Sequence, residues 1–299
     1  VIALDDTDQL GASAHDFIRR FAPSQTLVFG APNAVIDAGI VEQAPMDSLA
    51  SVTTRLSALW QRATYVVVAD QGAYGDCVMA ASFAARIDAP LFFTDGTLAS
   101  DVLMAIESLE PEQILVMGAA DAPMLSNQLR LQDADDALGW LATQGYETDY
   151  LALFNPNDRT AGRSQKLSLT APNYAARRGG LALPYANEIP TDVAGGSDLE
   201  GTLQFLRDRY EFMGKHPEHL ALVGSFDVIP IHRTPSLFDV PTHEWPVNDN
   251  PYGEIDDDPF RDIAVGRIFT DSVYRGSLLA ARTVVYEHLA DGYWNTRFV

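Results

Sequence analysis

The sequence predicts an α/β fold of tandem parallel-sheet units, each running strand-helix-strand-helix-strand with helices on both faces of its sheet. Three observations lead there: short apolar strands that alternate with amphipathic helices, an ungapped internal repeat, and a glycine that ends the last strand of each copy. A parallel sheet covered on both faces needs continuous apolar strands and a crossover helix between neighbouring strands. Tyr65-Val66-Val67-Val68-Ala69 and Tyr150-Leu151-Ala152-Leu153-Phe154 are strands of that kind.

The repeat sets the organisation of the chain. Leu10–Ala31 aligns with Leu98–Ala119 without a gap, and Leu10/Leu98, Ile18/Ile106, Pro23/Pro111, Gln25/Gln113, Leu27/Leu115, Val28/Val116, Gly30/Gly118 and Ala31/Ala119 are identical pairs. Each copy reads as a helix, a proline-marked loop, a buried strand and a glycine, the residue that a sharp turn at a strand end favours. A third ending, Pro217–Asp227, parallels Pro111–Asp121. The first half of the unit recurs as well: Phe83-Ala84-Ala85-Arg86 precedes Pro90-Leu91-Phe92-Phe93, and Tyr174-Ala175-Ala176-Arg177 precedes Leu181-Ala182-Leu183-Pro184. Tyr65 to Gly118 is the clearest copy of this Rossmann-like unit. The chain opens near the end of another, with Val1-Ile2-Ala3-Leu4 read as a strand already under way at a cut or processed start. Residues 120–149 and 184–200 read as connectors or peripheral helices. The expected division is 1–140, the tandem units, and 141–299, a diverged unit with a more specific carboxy-terminal segment.

Composition narrows the function classes. Hydrophobic residues make up 47% of the 299 residues and charged residues 20%, a globular balance. The net charge is −21, and Lys166 and Lys215 are the two lysines; phosphate binding needs a basic face, so nucleic acid is excluded as a partner. No apolar run approaches the ~20 residues that cross a bilayer, so no membrane span is expected. An acidic, lysine-poor surface suits a salty or calcium-containing extracellular setting as well as it suits plain solubility. Cys77 is the single cysteine, which fits a reducing compartment or a secreted protein stabilised by core size. The localisation carried forward is secreted or cell surface, with the cytoplasm as the alternative.

Residues 65–121 resemble a type 2 cell-wall-binding repeat. The counterparts are Asp76-Cys77-Val78 at a helix start, the Ala80–Ala85 helix, Pro90-Leu91-Phe92-Phe93-Thr94, Leu98, and Val116-Met117-Gly118. The resemblance implies attachment to an anionic polymer of the cell envelope. The family's Gly-x-Asp-Arg-Tyr signature is replaced here by PMDSLASVTTRL, and its glycine pair by Gly118-Ala119. A glycine at the carboxyl edge of a parallel sheet equally suits a small ligand or plain scaffold, and the three readings stay open.

From Leu220 four blocks follow in order: Leu220-Ala221-Leu222-Val223-Gly224 with Asp227-Val228-Ile229-Pro230; Asn248-Asp249-Asn250-Pro251-Tyr252-Gly253-Glu254; Asp262-Ile263-Ala264-Val265-Gly266-Arg267-Ile268; and a helix ending Val284-Val285-Tyr286-Glu287. This order resembles the front part, about 220–288, of the gingipain-type cysteine peptidases, and implies that the last unit merges into a caspase-like segment. The resemblance places Asp249 and Tyr252 in the substrate-binding region, while Tyr252, with Gly253, Gly266 and Arg267, also reads as a residue that shapes the fold. In arginine-specific members the aspartate at the position of Asp249 lines the pocket for the basic side chain, where a carboxylate meets a guanidinium. Asp249 as a turn residue beside Pro251 and Gly253 is the competing reading. Asp256, Asp257 and Asp258, with Glu254 and Asp249, read as calcium ligands or as a solvated acidic loop. No other cofactor is expected.

A cysteine peptidase needs a thiolate and a histidine to activate it. In the resembled family a His-Gly pair and then a cysteine follow the Tyr-Glu helix. After Arg267 this sequence has neither, and His288 sits in a different motif. No catalytic residue is assigned. Cys77 reads as a small apolar residue of an alanine-rich helix, and the six histidines show no metal spacing. Two functions are carried forward. One is a non-catalytic, amino-terminal portion of a gingipain-like endopeptidase, whose parent protein acts on a polypeptide substrate. The other is an envelope-binding or adhesion module without enzymatic activity.

Overall fold

The computed structural model describes residues 2, 11–29, 40–44, 48–122, 125–159, 167–186, 199–213, 215, 217–233, 247–254, 261–270 and 272–287. The Val1–Leu4 strand, apart from Ile2, and the Asp256–Asp258 run lie outside these residues.

Two four-stranded, all-parallel sheets form the body of the described chain. In the first, β3 (Tyr65–Asp70), α3 (Tyr74–Arg86), β4 (Leu91–Thr94), α4 (Ser100–Ser108), β5 (Gln113–Met117) and β6 (Gln128–Leu131) follow in sequence, and the sheet order is β4-β3-β5-β6. In the second, β7 (Tyr150–Phe154), α6 (Ala171–Arg177), β8 (Leu181–Pro184), α7 (Leu199–Met213), β9 (His219–Val223) and β12 (Ala264–Ile268) give the order β8-β7-β9-β12. Both sheets therefore place their strands second-first-third-fourth. The register agrees as well. Tyr65 faces Gln113 and Tyr150 faces His219, while Met117 faces Leu131 and Val223 faces Ile268. The repeat read in the sequence is a repeat of the fold.

The amino-terminal part supplies half of a unit. α1 (Ala12–Phe21) leads to β1 (Gln25–Phe29), which pairs in parallel with β2 (Ile40–Ala44), and α2 (Leu49–Ser57) follows. β1 corresponds residue for residue to β5, and β2 begins where β6 begins in the aligned copy. A capping box starts α2: the Ser48 hydroxyl accepts from Ser51 N–H, and the Ser51 hydroxyl accepts from Ser48 N–H. A short two-stranded sheet, β10 (His232–Arg233) against β11 (Val247–Asn248), lies between β9 and β12, and α8 (Val273–Glu287) closes the order.

Residues 120–149, expected as connectors or peripheral helices, instead hold the fourth strand β6 and the core helix α5 (Ala134–Thr143). Gln128-Leu129-Arg130-Leu131 alternates polar and apolar because β6 is an edge strand, and four residues carry too little period to announce a strand. In α5, Ala137 and Leu141 are fully buried, and the Asp133 carboxylate caps the helix by accepting from Asp135 and Asp136 N–H.

The two sheets share one apolar core that runs from Val67 and Leu115 to Leu151 and Leu222 across the expected boundary at 140. Helix α3 joins them. It packs on β3, and Ser82 on its far face accepts from Ala182 N–H at 2.9 Å, so α3 also covers the outer edge of β8. Trp140 of α5 packs against the first sheet and α3: it meets Tyr65 edge-on at 5.1 Å, Phe83 at 5.4 Å and Tyr146 at 6.3 Å between ring centres.

Gly118 shows why the strand-ending glycine is needed. Its φ is +61°, and a Cβ there would stand 2.0 Å from Asp76 Oδ2. Gly118→Ala is expected to lower stability by about 2 kcal/mol, combining the left-handed strain with a displaced Asp76; the shift in urea midpoint measures it.

Candidate functional site

All strands of a parallel sheet end on the same edge, and that edge of the second sheet gathers the residues singled out by the sequence. Arg267 lies in β12 with its side chain nearly buried. Its Nε donates to Asp249 Oδ2 at 2.9 Å and its Nη2 to Asp249 Oδ1 at 2.6 Å, a bidentate pair. Nη2 also donates to Pro230 O at 3.0 Å. Nη1 donates to Gly224 O at 3.1 Å and Ile229 O at 3.0 Å, with a longer contact to Ser225 O at 3.3 Å. One guanidinium thus ties together β12, the loop after β9 and the turn that carries Asp249.

Tyr252 completes the network. It sits in the 3-10 turn Asn250–Gly253, is 2% exposed, and donates its hydroxyl to Pro230 O at 2.7 Å. Burial pushes its phenol far above the ordinary tyrosine range, so it stays a neutral donor. Asp249 and Tyr252, which the sequence brought forward as a pair, fall in one hydrogen-bond network. They meet there through Arg267 and Pro230. The Asp249 carboxylate gives one lone pair on each oxygen to Arg267, and its side chain remains 21% exposed.

The clamp has a forerunner in the first sheet. Arg130 occupies the position of β6 that Arg267 occupies in β12, since Val116 faces Arg130 as Leu222 faces Arg267. Arg130 Nη1 donates to Gly118 O at 3.2 Å and Ala120 O at 2.7 Å, and Nη2 lies 3.9 Å from Asp121 Oδ1. An arginine of the fourth strand holding the carbonyls after the third is therefore a device of the repeated unit, to which Asp249 and Tyr252 are added in the second sheet. Sequence reading missed this because β6 was not recognised as a strand; aligned by their fourth strands, the two arginines coincide.

The crevice between the first and third strands, where a doubly wound sheet holds a ligand, is filled by side chains of the chain itself. In the second sheet Asn155 is 1% exposed and donates Nδ2 to Val228 O at 2.9 Å. The remaining dent, lined by Leu153, Phe154, Tyr185, Thr202, Ile229 and Pro230, is apolar and too tight for water. In the first sheet the Asp76 carboxylate covers Gly118 and accepts from Ala119 N–H. Burial raises the Asp76 pKa above its usual 3.8, and the nearby Asp70 carboxylate adds to the shift. A carboxyl raised in the folded state withdraws stability as pH climbs past 3.8 toward the folded value. Asp76→Asn is therefore expected to gain melting temperature relative to the parent chain at pH 7, and to lose that advantage at pH 3.5.

Cys77 lies beside Asp76 and donates Sγ–H to Asp70 O at 2.8 Å. Burial, aided by the Asp70 and Asp76 carboxylates, pushes the thiol up to about 12. It is a packed thiol, not a thiolate. Alkylation by iodoacetamide at pH 8 is expected to run roughly a hundredfold slower in the folded chain than after unfolding in urea. Among the described residues no group of three His, Cys, Asp or Glu side chains is placed to hold a metal ion. No described helix is long and apolar enough to cross a membrane.

Residues 175–299 match the family model of peptidase family C25. The gingipain-type resemblance is borne out, and the matched segment begins upstream of Leu220, so that it takes in β8 and α7 as well. No curated protein matches the chain. Solved structures that the chain is similar to include Cwp6 from Clostridium difficile, 13% identical with a TM-score of 0.47, where the match covers 70% of this chain and 30% of that one. Cwp8 from Clostridium difficile is 14% identical with a TM-score of 0.44, over 70% of this chain and 32% of that one. The chain spans about a third of the length of these proteins.

Proposed function

We propose, from the premise that residues 175–299 are a segment of a peptidase family C25 domain, that the chain is the non-catalytic framework of a gingipain-like cysteine endopeptidase. In this reading the carboxyl edge of the second sheet presents a polypeptide substrate to catalytic groups supplied by the rest of the parent protein. The observation that carries it is the Arg267 node. Inside the matched segment, a clamp that elsewhere holds only a loop also binds Asp249 and shares Pro230 O with Tyr252.

The chemistry of the chain agrees with a supporting role. A peptidase of this kind acts through a thiolate, and Cys77 is half-buried and protonated at neutral pH. It sits in helix α3, outside the matched segment. Asp249 acts mainly by fixing the turn 249–253 against β12, and the exposed fifth of its side chain leaves a lone pair for a basic group of the substrate. A net charge of −21 favours basic polypeptides and disfavours a bare anionic envelope polymer. The same acidic, lysine-poor balance is compatible with the secreted or surface-exposed setting that belongs to this proposal. Calcium at Asp256–Asp258 belongs to this proposal as an unassigned ion and carries no step.

Fluorescence anisotropy with a labelled Arg-containing peptide and its citrulline counterpart tests the reading. The Arg peptide is expected to bind the chain more tightly, with a preference that shrinks in high salt. Equal binding of the two peptides contradicts it.

A further inference from the structure

Two phenylalanines stand on the carboxyl edge of the second sheet with no role in the core. Phe226, in the loop after β9, is 45% exposed, and Phe269, directly after β12, is 62% exposed. Their rings stack at 5.6 Å with an angle of 8° between planes. The internal duplication provides a control for what the fold requires there. By the register of the third and fourth strands, Phe226 corresponds to Ala120 and Phe269 to Gln132. The first sheet reaches the same strand order and the same arginine clamp without an aromatic at either place. The fold does not ask for the pair, and two exposed aromatic rings cost solubility unless something covers them.

The pair is also held rigid. Arg267 Nη1 binds the carbonyls on either side of the Phe226 turn, Gly224 and Ser225 before it and Ile229 after it. The same guanidinium binds Asp249, so the aromatic platform and the carboxylate are fixed to each other through one side chain. The Ser225 hydroxyl donates to Asp227, so the same turn carries a second carboxylate one residue after Phe226.

From this we infer that Phe226 and Phe269 form a subsite for an aromatic or large aliphatic side chain of a bound polypeptide, next to the place of its basic residue. The inference rests on the reading of this edge as a substrate edge. The occupant follows from the two chemistries side by side: a flat apolar face takes an apolar side chain, and flanking carboxylates favour a lysine or arginine neighbour over an acidic one. Phe226 and Phe269 are positioning and specificity residues in this account.

A panel of four labelled peptides tests it on the full chain by anisotropy: Arg with a neighbouring Phe, Arg with a neighbouring Ala, citrulline with Phe, and citrulline with Ala. The Arg-Phe peptide is expected to bind about tenfold tighter than Arg-Ala, the equivalent of about 1.4 kcal/mol. Phe226→Ala with Phe269→Ala is expected to erase that difference and to keep the Arg-over-citrulline preference. Unchanged circular dichroism and melting temperature would show that the double variant is folded, as expected for exposed rings. Phe226→Leu with Phe269→Leu serves as a second variant, expected to keep part of the apolar preference. Equal binding of Arg-Phe and Arg-Ala, both tighter than the citrulline peptides, overturns the subsite and leaves the substrate-edge reading standing. A Phe preference that persists in the Phe226→Ala/Phe269→Ala variant also overturns it. A Phe preference lost in that variant, without any Arg preference, keeps the subsite and removes the basic-substrate reading. Absence of binding by all four peptides overturns both.

Discussion

Arg267→Ala is expected to lower the unfolding free energy by about 3 kcal/mol, the low end of the range for breaking a buried ion pair. The variant leaves the Asp249 carboxylate without its bidentate partner and strips a donor from the carbonyls of Gly224, Ser225, Ile229 and Pro230. The cost is kept toward the low end because the Asp249 side chain is 21% exposed and water reaches it. Tyr252 keeps its bond to Pro230 O, so the turn is loosened and not lost. Asp249→Asn removes the charge and keeps one acceptor, and is expected to cost about 1 kcal/mol. The double variant, Asp249→Asn with Arg267→Ala, is expected to lose less than the sum of the two singles, because neither charge is then left buried alone. Chemical denaturation of the four chains measures the coupling; additive losses would mean that the two side chains do not act on each other.

Trp140→Ala is expected to cost about 3–5 kcal/mol, as large aromatic truncations in cores do. Trp140 is 7% exposed and is packed among Tyr65, Phe83 and Tyr146, where the first sheet meets α5. Both sheets draw on the same apolar core, so the loss is expected to move a single cooperative transition. The exposure of Cys77 to a thiol reagent should then follow the same denaturation curve as the far-ultraviolet signal. Two separated transitions, with only the earlier one shifted by Trp140→Ala, would instead describe two units that fold independently on either side of residue 140.

The fold was legible in the sequence to the extent that strands are buried on both faces. Tyr65–Ala69 and Tyr150–Phe154 are continuous apolar runs because they lie inside their sheets, with β4 and β5 beside the first and β8 and β9 beside the second. Edge strands escape the same reasoning. β6 is four residues long, and its solvent-facing side breaks the apolar run. The lost strand also hid the correspondence of Arg130 with Arg267. At the site, Asp249 and Tyr252 were found through the order of the peptidase-like blocks. Their partners Gly224, Ser225, Ile229 and Pro230 act through backbone carbonyls, which leave no trace in residue identity. Phe226 and Phe269 are 43 positions apart and meet only because parallel strands end on a common edge.

The central claim is that this chain shapes a substrate edge and does not itself cut. Incubating the purified chain with chromogenic Arg- and Lys-terminated peptides, with and without iodoacetamide, tests it most directly. No product above the buffer rate is expected in either arm, since the Cys77 thiol is pushed up to about 12 and lies in helix α3, outside the matched segment. Cleavage that iodoacetamide blocks and that Cys77→Ser abolishes would contradict it.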